Sequence, residues 1–201
     1  MPWRSFTIGP EPNERQGFSL TLKEYLLLAE EVGFSHFGEL NTGALRFLPE
    51  VREMCAAGKC KRYGRCWTCP PYCGTLEEAA ERAKTYPAGI LVQTTGEMED
   101  SFDYECMVDT EAKHKELFHT LVERIRRSEP DCLPMGAGTC TICAQCTCPD
   151  APCRFPEKRI SSMEAYGLFV SEVCEQSGLG YYYGKDTITY TSCVLLRPEG
   201  E

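Results

Sequence analysis

Three cysteines in the second half of the chain are spaced as Cys140-x2-Cys143-x2-Cys146, and Cys148 and Cys153 follow closely. A turn with these two-residue gaps can wrap an inorganic cluster so that each sulfur reaches a different iron. Bacterial ferredoxins use the same run, with a further cysteine beside proline. Both later cysteines of this stretch are next to a proline. The stretch therefore predicts an iron–sulfur cluster.

A second group of cysteines lies in the first half of the chain, at Cys55, Cys60, Cys66, Cys69 and Cys73. Five sulfurs are one more than a single four-iron cluster takes from cysteine. The two prolines after Cys69 keep the backbone extended and remove two amide donors. We expect this stiffness to hold Cys69 and Cys73 apart while their sulfurs converge on one metal centre.

Zinc and disulfides are the alternatives to iron. Structural zinc takes two Cys-x2-Cys pairs separated by a longer loop, which Cys66-x2-Cys69 and Cys143-x2-Cys146 could supply. That site would leave the other cysteines of both stretches without a role, so iron is favoured and zinc stays open. Disulfide frameworks are typical of secreted chains. Because residues 1–18 lack the apolar segment of a signal peptide, we expect a cytoplasmic location and reduced thiols.

The net charge of the chain indicates which kinds of binding partner are not expected. The 201 residues carry 21 Lys and Arg against 30 Asp and Glu, a net charge of −9. Nucleic acids and anionic membranes bind clustered basic residues, so neither is expected as a partner. No segment approaches the ~18 consecutive apolar residues that read as a transmembrane helix. The remaining expectation is a protein partner, with the oligomeric state left open.

Helices and strands alternate around the two cysteine stretches. Capping boxes at Thr21-x2-Glu24, Thr75-x2-Glu78 and Ser161-x2-Glu164 predict three helix starts, and the helices are expected to end at Gly33, near Tyr86 and near Gly178. Further helices are predicted over 48–55 and 109–127. Apolar and β-branched runs predict strands at 34–40, 88–95, 132–138 and 187–196.

The alternation favours an α/β or α+β fold, with a mixed sheet flanked by helices. No low-complexity linker divides the chain, so residues 1–201 are expected to form a single cysteine-rich metal-binding domain. Both cysteine stretches lie between an element and a capped helix. We expect them to be two metal-binding loops at one side of the sheet.

The two stretches together resemble a known family. The segments VREMC…KCKRYGRCWTCPPYCGTLEE and GAGTCTICAQCTCPDAPCRFPEKRISSMEAYGL are similar to the motifs of the predicted metal-binding family called domain of unknown function 2284, over about residues 45–196. The resemblance implies metal binding and says little about a reaction. It implies two sets of ligands, which are Cys55, Cys60, Cys69 and Cys73 in the first loop, and Cys140, Cys143, Cys146 and Cys153 in the second.

Two cysteines of the loops are then left over. Cys66 is expected to point elsewhere while Trp67 shields the cluster. Cys148 is expected to be spare because the prolines before Cys153 form a rigid turn that brings Cys153 back over the cluster. The reverse assignment, with Cys148 as the ligand, stays open. Arg154 follows a predicted ligand directly, and its positive charge would stabilise the reduced form of an anionic cluster.

The sequence-based prediction of function is a protein with two [4Fe-4S] clusters that transfers single electrons to a redox partner in a low-potential or anaerobic pathway. One alternative is a cluster-dependent enzyme, or a reductase subunit linked to a corrinoid. Another is a zinc-binding interaction module. No glycine-rich phosphate loop, catalytic triad or nucleotide-binding fingerprint is present, so the sequence leaves it uncertain whether the protein is an enzyme.

Overall fold

A computed structural model describes residues 20–57 and 60–199 of the protein. The described part contains five α-helices and four strands. The helices are α1 (Leu22–Val32), α2 (Pro49–Ala56), α3 (Leu76–Ala83), α4 (Tyr104–Ser128) and α5 (Val170–Gln176). The strands are β1 (His36–Glu39), β2 (Ala88–Glu97), β3 (Leu133–Met135) and β4 (Thr187–Leu196). The N-terminal stretch used above for the prediction of location lies outside the described residues.

Two of the three predicted capping boxes form. Thr21 Oγ1 accepts a hydrogen bond from Glu24 N, and Thr75 Oγ1 accepts one from Glu78 N, while each glutamate carboxylate accepts the cap residue's own N–H. Gly33 ends α1 with a left-handed φ of 101°, as its position after the apolar stripe predicts. The starts of α1 and α3 are therefore specified by local sequence, and α3 is the helix that follows the first cysteine loop.

The sheet has the strand order β1-β2-β4-β3, and every strand pair in it is antiparallel. The predicted class, helices and strands in one fold, is confirmed. The predicted mixture of parallel and antiparallel strands is not observed. The sequence could not decide the strand directions, because the apolar pattern of a strand is the same whichever way the strand runs. The central pair joins β2 and β4 over their whole length, from Ala88↔Leu196 to Glu97↔Thr187.

Helices cover both faces of the sheet. On one face, Ile90 and Val92 of β2 pack with the apolar sides of α1 and α4. On the other face, Leu91 of β2 and Leu195 of β4 pack against α3, α5 and the segment 163–168. This alternation of side chains explains why β2 reads as a continuous apolar run. No helix in the described residues is long and apolar enough to cross a membrane.

The third predicted helix start is wrong. Ser161 and Met163 instead make backbone hydrogen bonds with Gly136, so this segment runs beside the end of β3 rather than as a helix. A single helical turn follows at 164–166 and ends at Gly167, which has a φ of 78°. A Cβ added to this glycine would lie 2.9 Å from Leu48 O. The helix that ends near Gly178 therefore begins only at Val170.

Two other helix bounds differ from the predictions. Helix α4 begins five residues before the predicted start, because Asp103 Oδ1 accepts a hydrogen bond from Cys106 N and caps it. Helix α3 ends at Ala83 rather than near Tyr86. Tyr86 is buried under the sheet, with its hydroxyl donating to Asp131 O at 2.5 Å, and this long-range contact draws the chain out of the helix.

Candidate metal centre

The first cysteine loop, residues 60–74, lies between α2 and α3 and is folded back on itself. Gly64 N donates to Pro70 O at 2.9 Å, and Cys69 N donates to Cys66 O at 3.0 Å. Cys55 lies in the last turn of α2, and Cys73 lies two residues before the cap of α3. The two helices therefore carry the first and last cysteines of this group, and the loop between them has its own backbone hydrogen bonds.

Arg52 ties the end of the first loop to the rest of the protein. Its guanidinium donates to Ala165 O and to Gly74 O, both at 2.8 Å, and its Nη2 lies 3.5 Å from Cys73 Sγ. Arg52 precedes Cys55 by three residues on α2, so both side chains lie on the same side of that helix. Sequence reasoning did not single out Arg52, although this spacing was a usable signal.

Burial dominates the electrostatics of Cys55 and Cys73. It raises the pKa of both thiols, and the positive charge of Arg52 acts in the opposite direction on each. The charges of Cys60, Glu164 and Cys73 also raise the pKa of Cys55, so these four groups are neighbours. Buried thiols become thiolates readily when a metal ion binds them, because the metal supplies the compensating charge.

Glu164 adds an acidic group beside the first set of cysteines. Its Oε2 is buried and has no hydrogen-bond partner within the described residues. A buried carboxylate oxygen without a partner is costly, and a nearby cation would compensate it. Sequence reasoning used Glu164 only as part of a helix cap, and its position beside Cys55 depends on the long-range packing of 163–168 against α2.

The second cysteine loop leaves β3 at Gly136 and returns at Ser162. Hydrogen bonds inside the loop hold its shape: Ala151 N donates to Thr147 O, Thr147 Oγ1 donates to Pro152 O, and Arg154 Nη1 donates to Gln145 O, at 2.8 to 3.0 Å. These bonds bring Cys153 back toward the start of the loop.

The four predicted ligands of the second loop, Cys140, Cys143, Cys146 and Cys153, line one small cavity, which measures about 370 Å³ with its open mouth included. Cys148 is buried and does not line it. Burial raises the pKa of the Cys140 thiol, and the charges of neighbouring cysteine thiols act in the same direction. The structure therefore brings the four thiols of the second predicted set to one place.

The two loops contact each other through Cys66 and Trp67. Trp67 Nε1 donates to Ala151 O at 3.1 Å, which joins the loops directly. Cys66 and Trp67 both line the cavity of the second loop. The Cys66 thiol is hydrogen-bonded to Thr68 Oγ1 at 3.3 Å. The thiols of Cys69 and Cys146 lie near it and lower its pKa, with Cys69 having the largest effect. Cys66 thus lies at the cavity of the second loop, and its assignment as a spare cysteine stays a prediction.

The structure also locates the two residues predicted to contact a cofactor. Trp67 packs edge-on against Tyr72, with ring centroids 5.3 Å apart, and lies over the thiols of the second loop. Arg154 lines the same cavity, and one of its N–H groups is used by Gln145 O. Contact of Trp67 and Arg154 with a cofactor stays a prediction.

The donor set of this region determines what it could bind. Within residues 20–57 and 60–199, no three His, Cys, Asp or Glu side chains form a group that could hold a single metal ion. All the cysteines are free thiols. Thiolates are soft ligands that select zinc, copper(I) and iron–sulfur clusters. Free thiols around a shared cavity, together with the unpartnered Glu164 oxygen, fit a metal centre held by cysteine.

Fold and site define a cysteine-rich α/β protein with two adjoining thiol-rich loops at one region of its surface. The sequence matches DUF2284, described as a predicted metal-binding protein, over residues 38–196. The chain belongs to this family, as the resemblance of the two cysteine motifs implied. No curated protein and no solved structure matches the chain.

Proposed function

We propose that this protein binds two [4Fe-4S] clusters, one at each cysteine loop, and transfers single electrons to a redox partner. The observation that carries the proposal is the cavity of the second loop, where Cys140, Cys143, Cys146 and Cys153 meet. The spacing of the first three is the one that bacterial ferredoxins use for such clusters. The second cluster would be held by these four thiolates.

The first cluster would be held by Cys55, Cys60, Cys69 and Cys73. One neighbour supports this assignment. Arg52 holds the Cys73 side of the loop through its hydrogen bonds to Gly74 O and Ala165 O, and its positive charge beside Cys73 Sγ suits an anionic cluster.

Bound clusters would supply one-electron oxidation and reduction at potentials set by hydrogen bonds, charge and exposure. The role of the protein would be to hold the thiolates, to limit the access of water to the clusters and to keep the two sites close to each other. Trp67 covers the second cavity and ties it to the first loop through Ala151 O. Cys66 lies near Cys69 and Cys146, which belong to the two proposed ligand sets, so the two sites would be close enough to favour electron transfer between them.

Metal analysis of protein purified without oxygen tests the proposal. We expect a brown protein with broad absorption near ~400 nm and about eight irons per chain, the number that two four-iron clusters require. Cys106→Ser is the matched control, because Cys106 lies in α4 outside both loops and should not change the iron content. Colourless protein with stoichiometric zinc would overturn the proposal.

A specific observation favours zinc as the second candidate. Cys66 and Cys69 of one Cys-x2-Cys pair lie near each other, and Cys66 also lies near Cys146 of the other pair. Structural zinc is held by two such pairs. Because no three metal-binding side chains of the described residues are placed for a single ion, the two pairs would have to move closer together to hold zinc. A zinc ion bound in this way would join the two loops and would make the protein an interaction module. The same metal analysis distinguishes it from the iron–sulfur proposal, since one zinc and no iron is then the expected result.

A further inference from the structure

A large polar cavity lies between the two cysteine loops and adjoins the thiol-lined cavity of the second loop, with which it shares Trp67 and Arg159 as lining residues. It encloses about 950 Å³, including its open mouth. Its walls come from α3, the end of α4, both loops and the segment before α5. The side chains that matter for its chemistry are Arg82, Arg126, Arg159, Trp67, Tyr72 and Tyr166.

The charge of this cavity is opposite to that of the molecule. Three arginines line it, and none of the described residues that line it is Asp or Glu. The whole chain, by contrast, has a net charge of −9. A cluster of positive charge in an acidic protein attracts anions locally, because low-dielectric walls concentrate the field.

Internal partners use only part of this positive charge. Arg82 lies 3.5 Å from Asp131, but Asp131 also accepts a hydrogen bond from Arg197 at 2.8 Å and is therefore shared. Arg126 uses one N–H on Glu157 O. In the part of the chain that the structure describes, neither Arg126 nor Arg159 forms an ion pair with a carboxylate. Each guanidinium has five N–H donors, so most remain available.

The surroundings of the Tyr166 hydroxyl show that Arg82 and Arg159 lie in the same part of the cavity. Burial raises the pKa of its hydroxyl, the charges of Arg82 and Arg159 lower it, and the charge of Cys73 raises it. Arg82 from α3 and Arg159 from the second loop are therefore close to the same phenol, and Cys73 lies beside them. The cavity is built from distant parts of the chain that converge.

We propose that this cavity binds a small polyanionic molecule that carries carboxylate or phosphate groups. Arginine is suited to both groups, because its planar fork donates two parallel hydrogen bonds to their oxygens. The rings of Trp67 and Tyr72 provide an apolar wall for the carbon part of such a molecule. Cys73 lines the cavity, so the ligand would lie beside the proposed first metal centre. Only this placement rests on the proposed function, whereas the anion site itself does not.

Isothermal titration calorimetry tests this site on the protein as purified without oxygen. The probes are inorganic pyrophosphate for the phosphate class, citrate for the carboxylate class and glycerol as a neutral control. We expect at least one of the anions to bind the wild-type protein at one site per chain, with glycerol giving no heat of binding. The stronger of the two anions identifies the class of natural ligand.

Arg159→Gln is the most informative variant, because Arg159 is exposed and has no ion pair whose loss would weaken the fold. We expect it to weaken anion binding at least tenfold, which is about 1.4 kcal/mol. Arg126→Gln should have a similar effect. Arg127→Gln is the matched control, since Arg127 is the next residue on α4 and does not line the cavity; it should leave the affinity unchanged.

Metal content and circular dichroism are measured for each variant, so that a loss of metal or of fold is recognised separately from a loss of the anion site. Pyrophosphate and citrate can also chelate metal, so metal content is measured again after each titration, and heat that accompanies a loss of metal is not counted as binding. Absence of pyrophosphate and citrate binding in the wild-type protein would overturn the proposal. Equal weakening in Arg127→Gln and Arg159→Gln would also overturn it, because binding would then reflect overall charge.

Discussion

Cys148 and Cys153 lie five residues apart in the second loop, and only one of them borders the cavity that Cys140, Cys143 and Cys146 share. The hydrogen bonds of Thr147 and Ala151 turn the chain between them, so Cys153 comes back to the cavity while Cys148 is buried outside it. At the scale of single residues, the choice of ligand therefore depends on the shape of the turn rather than on the number of cysteines.

This geometry leads to a prediction on iron content. Cys153→Ser should lose about half of the iron, one of two four-iron clusters, because a serine hydroxyl is a harder ligand than a thiolate. Cys148→Ser should keep all of it and serves as the control. Iron is counted in protein purified without oxygen. Full iron in Cys153→Ser together with loss in Cys148→Ser would reverse the assignment.

Helix caps determine how firmly the ends of the first loop are held. Helix α3 begins directly after Cys73 and Gly74, and its start depends on the reciprocal hydrogen bonds of Thr75 and Glu78. Helix α1 has the same capping box at Thr21 and Glu24, but no cysteine loop precedes it. Among the described residues, α1 and α3 thus have equivalent caps, and the cap of α3 is the one next to the candidate metal centre.

We expect Thr75→Ala to lower the free energy of unfolding by about 1 kcal/mol, the usual effect of losing an N-cap. It should also accelerate the release of metal to a chelator, because the end of the loop that carries Cys73 becomes less ordered. Thr21→Ala should lower stability by a similar amount and leave metal release unchanged. If both variants release metal at the same rate, cap and metal centre are not coupled.

Helix α4 is joined to the sheet by a buried histidine. His114 Nδ1 lies 2.9 Å from Thr94 Oγ1 of β2, and its Nε2 lies 2.7 Å from Ser192 Oγ of β4. Burial, with a smaller effect from Lys115, lowers the pKa of His114 to about 3. The imidazole is therefore neutral in the folded protein at any pH near neutrality.

This pKa predicts how stability depends on pH. Between pH 6.5 and about 3, the unfolded chain binds a proton at His114 that the folded protein does not, so stability falls as the pH is lowered through this window. From pH 7 to pH 5 the contribution of His114 is about 2 kcal/mol, at 1.36 kcal/mol per pH unit below 6.5.

Urea unfolding at pH 7 and pH 5 measures this difference. The wild-type protein should lose more stability between the two values than His114→Gln, which lacks the titrating group. His36→Gln is the control, because His36 is only partly buried and its pKa is less perturbed. An equal loss in wild type and His114→Gln would contradict the low pKa of His114.

At the scale of the whole molecule, the net charge of −9 should control encounters with electron donors. A cationic donor is attracted over a distance of about 10 Å at 0.1 M ionic strength, and an anionic donor is repelled over the same range. We expect a cationic one-electron donor to reduce the protein faster than an anionic donor of similar potential. Stopped-flow absorbance at increasing salt measures both rates, and they should converge as salt rises. Rates that do not depend on salt would contradict this.

Local patterns in the sequence were sufficient for much of the fold. The capping boxes at Thr21 and Thr75, the apolar runs that became β2 and β4, and the helix that carries Cys55 all depend on residues within a few positions of one another. Cysteine spacing likewise identified both loops, because tight clusters need closely spaced ligands. Membership of the metal-binding family followed from these same motifs.

Local sequence patterns could not predict the contacts between segments that are distant in the chain. Strand direction, the loss of the helix start at Ser161 and the early end of α3 each depend on pairing or packing across the sheet. The positions of Cys66 and Glu164 beside cysteines of the other segments, and the meeting of Arg82 with Arg159, likewise arise only when α2, α3 and both loops pack together. The spacing of residues along the chain does not predict which distant residues lie close together, because burial and loop contacts are determined by the folded chain as a whole.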